Sequence, residues 1–271
     1  MSCCGKNDKS GCCSGEKSSA FGEPSPLDTA RRWFLKSAAA FTTVALAPGV
    51  TLMAFAGAAP ASAGPGRGPA TAKERWGLLI DVAKCADDCS ACVSACSKEN
   101  GWKDTGHPLT DPQWIRKVTV SGKGATASLP VMCQHCASPP CVDVCPTGAS
   151  FKRADGIVLV DKHLCIGCRY CVMACPYKAR SFVHEPLEDQ LAHAPRGKGT
   201  VESCTLCVHR VDEGRQPACV EACAATGHGA MIFGDLNDPE SAISRRIAQF
   251  PTHQLRADLG CDPGVRYGTG S

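Results

Sequence analysis

Between Cys133 and Cys175 eight cysteines fall into two consecutive quartets, C-x2-C-x4-C-x3-C-P and C-x2-C-x2-C-x3-C-P. The residues are Cys133, Cys136, Cys141 and Cys145, then Cys165, Cys168, Cys171 and Cys175, with Pro146 and Pro176 directly after each set. Few patterns constrain a chain more. Two-residue gaps let a curled loop wrap three corners of an iron–sulfur cube, while the more distant fourth thiolate leads away to a neighbouring cube. Each proline suits a turn, because its ring fixes φ and cannot continue a helix. Zinc also binds C-x2-C pairs, but it takes two from each of two knuckles rather than two quartets each closed by Cys-Pro. The spacing therefore favours [4Fe–4S] clusters.

Cysteine-rich segments recur on either side. Cys85, Cys89, Cys92 and Cys96 precede this region, and Cys204, Cys207, Cys219 and Cys223 follow it in a C-x2-C-x11-C-x3-C pattern. Sixteen cysteines in four quartets, all ending in the same x3 gap, form an internal repeat. Cys261 is left over as a free thiol. The chain has 21 Cys but only 15 aromatic residues, so its core is expected to be built partly around inorganic clusters. Residues 64–271 carry 23 Lys and Arg against 22 Asp and Glu. Four cubes with their thiolates, at about −2 each, would bring that part to roughly −7. No block of like charge points to nucleic acid, and no Ser-His-Asp grouping, phosphate loop or paired acid site points to substrate chemistry.

The first 63 residues read as an export leader with a disordered extension. Residues 1–30 are rich in Ser, Gly and Lys and hold Cys3, Cys4, Cys12 and Cys13, which would be discarded with the leader. Then come Arg31-Arg32-Trp33-Phe34-Leu35-Lys36, an apolar run from Ala38 to Ala59 broken by Pro48 and Gly49, and Ala61-Ser62-Ala63. Twin arginines, weak hydrophobicity and an A-x-A site read as a Tat signal cleaved after Ala63, with an uncleaved anchor as the alternative. Cubes are assembled in the cytoplasm, so their host must cross the membrane folded. The Tat route carries folded cargo, and the expected location is the periplasm.

After a linker at 64–73, residues 74–271 read as an α+β domain: two ferredoxin-like modules with insertions, small strands and short helices around four clusters. Strands are expected at Trp76–Val82, Ile115–Val120, Ile157–Val160 and Ala230–Phe233, and short helices at Val93–Glu99 and Val172–Ala174. Asp238-Pro239-Glu240 reads as the cap and first turn of a helix running to about Gln249. His184 to Gly199, with two prolines and two glycines, reads as a surface insertion. His135 is expected to pack or hydrogen-bond, because a full cysteine quartet is available beside it. Arg169, Lys178 and Arg180 lie near the third quartet, either offsetting cluster charge or as ordinary surface charge.

The quartets and their spacing resemble the four-cluster ferredoxin-like subunits of molybdopterin-type and related membrane oxidoreductases, over nearly all of residues 74–260. The resemblance implies a nested exchange of the last cysteine of each quartet. One cube would be held by Cys133, Cys136, Cys141 and Cys175, and a second by Cys165, Cys168, Cys171 and Cys145. A third would be held by Cys85, Cys89, Cys92 and Cys223, and the fourth by Cys204, Cys207, Cys219 and Cys96. This sequence departs in the x3 gap from Cys85 to Cys89, and in Ser97 and Ala224 where prolines are usual.

Within the family, Asp111–Val118, Asp155–Ala179, Gly234–Ser241 and the tail from Leu259 to Gly268 resemble the DsrO type of the sulfite-reduction-associated DsrMKJOP complexes. These stretches are shared in part with subunits serving thiosulfate, polysulfide, tetrathionate and nitrite reductases. The resemblance implies a non-catalytic electron-transfer subunit. Its partners would be an NrfD-type quinone-interacting membrane protein, a multihaem cytochrome c and other DsrMKJOP-like subunits. A molybdopterin reductase is the alternative partner. The reading from another class is a disulfide-rich exported binding protein; regular C-x2-C pairs and a folded-cargo leader argue against it.

Overall fold

The computed structural model describes residues 69–269 except 108, 123–124 and 189, together with the backbone of two short strands further upstream. The chain divides into two units, Met1–Ser62 and Ala63–Ser271. In the first, strands β1 (Thr43–Ala47) and β2 (Val50–Met53) pair antiparallel. The twin arginines, the A-x-A site and the four N-terminal cysteines lie outside the described residues. Among the described residues no helix is long and apolar enough to cross a membrane.

The second unit is built on strand β3 (Trp76–Asp81), the apolar run that opens it, with Leu78, Leu79 and Ile80 buried. It lies in a four-stranded sheet, flanked antiparallel by β10 (Met231–Asp235) and parallel by β12 (Val265–Gly268), with β11 (Thr252–His253) on the far edge. Small antiparallel pairs make up the remaining strands: β4 (Ile115–Gly122) with β5 (Ala125–Met132), β6 (Ser150–Lys152) with β7 (Val158–Val160), and β8 (Ser181–Phe182) with β9 (Val201–Glu202). The helices are short: α1 (Ala91–Asn100), α2 (Pro140–Asp143), α3 (Tyr170–Ala174), α4 (Val208–Asp212), α5 (Ala218–Ala225) and α6 (Ala242–Gln249). Small sheets and short helices of both kinds make this an α+β, ferredoxin-like fold.

One expectation needs correction. The α6 cap is Ser241, whose Oγ accepts from Ser244 N at 3.2 Å, and not Asp238. Asp238 instead accepts from Glu240 N at 2.9 Å, a local turn that keeps Pro239 outside the helix. The segment from His184 to Gly199 lies largely at the surface, as expected, and is tethered there: Ala194 and Arg196 are buried, and β8 and β9 close its base.

Hydrophobic packing is split between two cores. One gathers Leu78, Ile80, Trp114, Ile115, Met132 and Leu206 with Cys92, Cys96, Cys219 and Cys223. The other gathers Val158, Ala179 and Val201 with Cys133, Cys136, Cys141, Cys171, Cys175 and Cys261.

Candidate metal centre

Helix pairs bring the remote quartets together. Helices α1 and α5 pack against each other. Each carries two buried cysteines four residues apart on one face, Cys92 and Cys96 on α1 and Cys219 and Cys223 on α5. Cys92 stands near Cys223 and Cys85, whereas Cys96 stands near Cys207 and Cys219, so the two helices run antiparallel. Helices α2 and α3 repeat the arrangement. Cys141 on α2 lies near Cys175, and Cys171 on α3 lies near Cys145 and Cys165. This antiparallel packing brings the last thiol of each quartet beside cysteines of the other.

Two of the resulting groups frame cavities. Cys85, Cys89, Cys92 and Cys223 line one, with Pro130, His228 and Ala230. Cys96, Cys204, Cys207 and Cys219 line the other, with Leu78, Trp114 and Met132. A third group, Cys133, Cys136, Cys141 and Cys175, is buried, and after burial itself the neighbouring Cys133, Cys261, Cys141 and Cys175 raise the pKa of Cys136. In the fourth, Cys145 and Cys165 lie near Cys171, and Cys168 is exposed. Exposed Leu164, Ile166, Tyr170 and Met173 lie beside Cys168 in the chain.

The donor spacing is not that of a single zinc ion. Four sulfurs at about 2.3 Å from one zinc ion stand about 3.8 Å from each other. Among the described residues no three thiols lie within 4.8 Å of one another; Glu99, His193 and His209 alone converge so tightly. That trio is already occupied, because Glu99 accepts from His209 at 2.8 Å and pairs with Arg210 at 3.2 Å. Burial pushes the Cys92 thiol up to about 11 and those of Cys96 and Cys133 up to about 12. Thiols so placed stay neutral near pH 7 unless iron takes the proton's position.

The backbone is shaped to meet anionic sulfur. In three C-x2-C loops the residue before the second cysteine has positive φ: His135 (43°), Gly167 (73°) and Leu206 (55°). This turn aims successive N–H groups inward, as in an anion-binding nest. At Gly167 no side chain is possible, since a Cβ would stand 2.3 Å from Gly199 O. Backbone N–H groups donate to sulfur at Cys145 (from Ser150, 3.3 Å), Cys165 (Val201, 3.4 Å), Cys204 (Leu206, 3.4 Å) and Cys223 (Ala230, 3.2 Å). Trp102 Nε1 and Asn100 Nδ2 donate to Cys96 at 3.4 and 3.5 Å. Donors to sulfur disperse its negative charge and raise a cluster's potential.

The widened Cys85–Cys89 loop is held from outside. Lys117 on β4 donates its ammonium to the carbonyls of Ala86, Asp87 (2.9 Å) and Cys89 (2.8 Å), tying the extra residue down. Pro146 and Pro176 lie in turns, as their place after Cys145 and Cys175 implies. His135 is a packed, hydrogen-bonding histidine: Val158 N donates to its Nδ1 at 3.0 Å, and burial with the Arg180 charge pushes its pKa down to about 3. Cys261 is buried near Cys136, on a tail whose Cys261 and Asp262 carbonyls accept from Ser138 N (3.2 Å) and Ala137 N (2.9 Å). Of the three cations near the third quartet, Arg169 stacks on Phe182 at 3.9 Å and Lys178 is exposed, but Arg180 is buried. Neither the Lys117 tie nor the Arg180 burial has a local sequence signal.

Grouped cysteines of this kind, with N–H groups turned towards them, define a ferredoxin-like protein of the [4Fe–4S] class. The 4Fe–4S dicluster domain family matches residues 125–236. The chain is 44% identical over 226 residues to the Hdr-like menaquinol oxidoreductase iron–sulfur subunit 1 of Archaeoglobus fulgidus, covering 72% of this chain and 83% of the relative. It is 37% identical over 244 residues to the B component of the tetrathionate reductase of Salmonella typhimurium, covering 89% and 88%. It is 37% identical over 199 residues to protein NrfC of Escherichia coli, covering 70% and 78%. The chain belongs to the NrfC-type family of iron–sulfur electron-transfer subunits, whose cofactors are [4Fe–4S] clusters. It is a redox subunit of an oxidoreductase complex and not the catalytic one.

Proposed function

We propose that this chain is a Tat-exported periplasmic subunit that relays electrons between an NrfD-type quinone-interacting membrane protein and further redox subunits of a DsrMKJOP-like sulfur-metabolism complex. The observation that supports the relay is the packing of α1 on α5 and of α2 on α3, which gathers cysteines of remote quartets within one small unit. The ligand sets would be Cys85, Cys89, Cys92 and Cys223; Cys96, Cys204, Cys207 and Cys219; Cys133, Cys136, Cys141 and Cys175; and Cys145, Cys165, Cys168 and Cys171. The first two sets would form one ferredoxin-like module and the last two the other, in line with the two hydrophobic cores. When bound, the clusters supply reversible one-electron transfer. The chain's own part is to hold sixteen thiolates, aim N–H groups at them and exclude water from most of them.

The menaquinol oxidoreductase relative supports the quinone side of this reading. Similarity to the tetrathionate reductase B component over 89% of the chain supports a second reading, the iron–sulfur subunit of a molybdopterin reductase. The relay is tested by adding a menaquinol analogue to anaerobic membranes holding the complex and recording the EPR signals of reduced clusters. Signals assigned to this chain should rise with quinol oxidation. Clusters that dithionite reduces and quinol never does would rule out quinol as the donor.

A further inference from the structure

Arg180 is 3% exposed, and its Nε and both terminal nitrogens are buried without an oxygen or nitrogen acceptor. No carboxylate pairs with it among the described residues. A guanidinium cannot shed its proton in a protein interior, so it needs an anion close by. Its charge acts on the thiols Cys141 and Cys133 from one ligand set and Cys171 from another, and also on His135 and Lys162. Arg153, Arg196 and Arg210, by contrast, each meet a carboxylate.

We propose that Arg180 is a buried counter-charge shared by two clusters, those of Cys133, Cys136, Cys141 and Cys175 and of Cys145, Cys165, Cys168 and Cys171. This rests on the ligand sets proposed above. One electron from a donor takes a thiolate-ligated cube from about −2 to about −3. A fixed positive charge acting on thiols of both sets would favour the reduced form of each and so raise both potentials. It also weakens the repulsion between electrons placed on both at once. Arg180 is a positioning residue in this scheme and carries no electron itself.

The test uses the full chain, purified anaerobically in its complex, with Arg180→Met, Arg180→Gln and Arg180→Lys. Iron per chain and EPR-monitored potentiometric titrations with dithionite are the readouts. In iron-replete Met and Gln variants two of the four potentials should move to more negative values while the other two hold. The Lys variant, which keeps the charge, should stay near the wild type. Four unchanged potentials in a fully loaded Met or Gln variant would overturn the proposal. If the neutral variants fail to load iron, a Lys variant that loads fully and keeps its potentials supports the need for charge. A Lys variant that also fails points to shape alone and overturns it. The wild-type iron count tests the ligand sets separately. Should it reveal fewer cubes, Arg180 still stands or falls by whether the potentials of those present shift.

Discussion

The Arg196 guanidinium meets the Glu202 carboxylate through two hydrogen bonds, 2.7 Å from Nε and 3.0 Å from the second terminal nitrogen, with both side chains almost wholly buried. Arg196 also donates to Gly101 O at 3.0 Å, and its backbone N–H donates to the Gln190 side chain at 2.9 Å. The pair thus fastens the 184–199 segment to the end of α1 and to β9, between the third and fourth quartets. Removing one partner leaves an uncompensated buried charge, which costs about 3–5 kcal/mol, whereas an apolar replacement of both costs much less. Glu202→Gln should lower the urea midpoint of anaerobic protein strongly, and Arg196→Met with Glu202→Leu should recover most of it. A single variant melting at the wild-type midpoint would show that the tether is dispensable.

Cofactor load follows from the thiol count. Sixteen thiolates in four sets should hold about sixteen iron and sixteen sulfide per chain. Iron chelation under reducing conditions should return buried thiols whose pKa values lie far above neutrality, and the packing around them should loosen. A sharp fall in circular dichroism on chelation is the expected readout. A count near eight iron, or stoichiometric zinc, would mean that the sets are wrong.

The exchange of ligands makes double variants diagnostic. Cys145 and Cys171 belong to one proposed set, although they come from different quartets. Cys145→Ala with Cys171→Ala should therefore remove one cube and leave about twelve iron. Cys145 and Cys141 belong to one quartet but to different sets, so Cys145→Ala with Cys141→Ala should remove two and leave about eight. The opposite pair of counts would mean that each quartet keeps its own cube.

What could be read from the sequence was what depends on local spacing. Cysteine gaps are set by the size of a cube, so Cys85 to Cys223 could be sorted into quartets before any fold was known. Strand β3 announced itself through Leu78, Leu79 and Ile80. Strand β5 did not, because its run Ala125–Met132 holds alanines and Pro130, which lacks a ladder donor. Ser241 displaced Asp238 as the α6 cap because its hydroxyl also reaches Asp235 O, at 2.6 Å, tying the helix start to β10. Lys117 meets carbonyls 28 to 31 residues away, and Arg196 adds to its near partner Glu202 a bond to Gly101 O 95 residues away, while the burial of Arg180 follows from the fold, because charge in a sequence says nothing of burial.

Export can be examined with two conservative changes. If Arg31 and Arg32 form a twin-arginine signal, replacing both by Lys should trap cluster-loaded protein in the cytoplasm. The unfolded-chain route cannot carry an assembled cube, so no other path should rescue it. Fractionation with iron analysis of both compartments reads the outcome. Normal arrival of the double variant in the periplasm would refute the Tat assignment.

Partner identity separates the two functional readings. A relay needs a donor and an acceptor, and Cys168 offers the one exposed thiol among the described quartet cysteines. Around a DsrMKJOP-like complex, mild-detergent capture of the tagged chain should bring down an NrfD-type membrane protein and a haem-staining cytochrome c, without molybdenum. As a molybdopterin reductase subunit, the same capture should bring down stoichiometric molybdenum and no multihaem protein. Both carry the membrane partner, so molybdenum and haem decide between them. A soluble monomer recovered under conditions that preserve such complexes would contradict either reading.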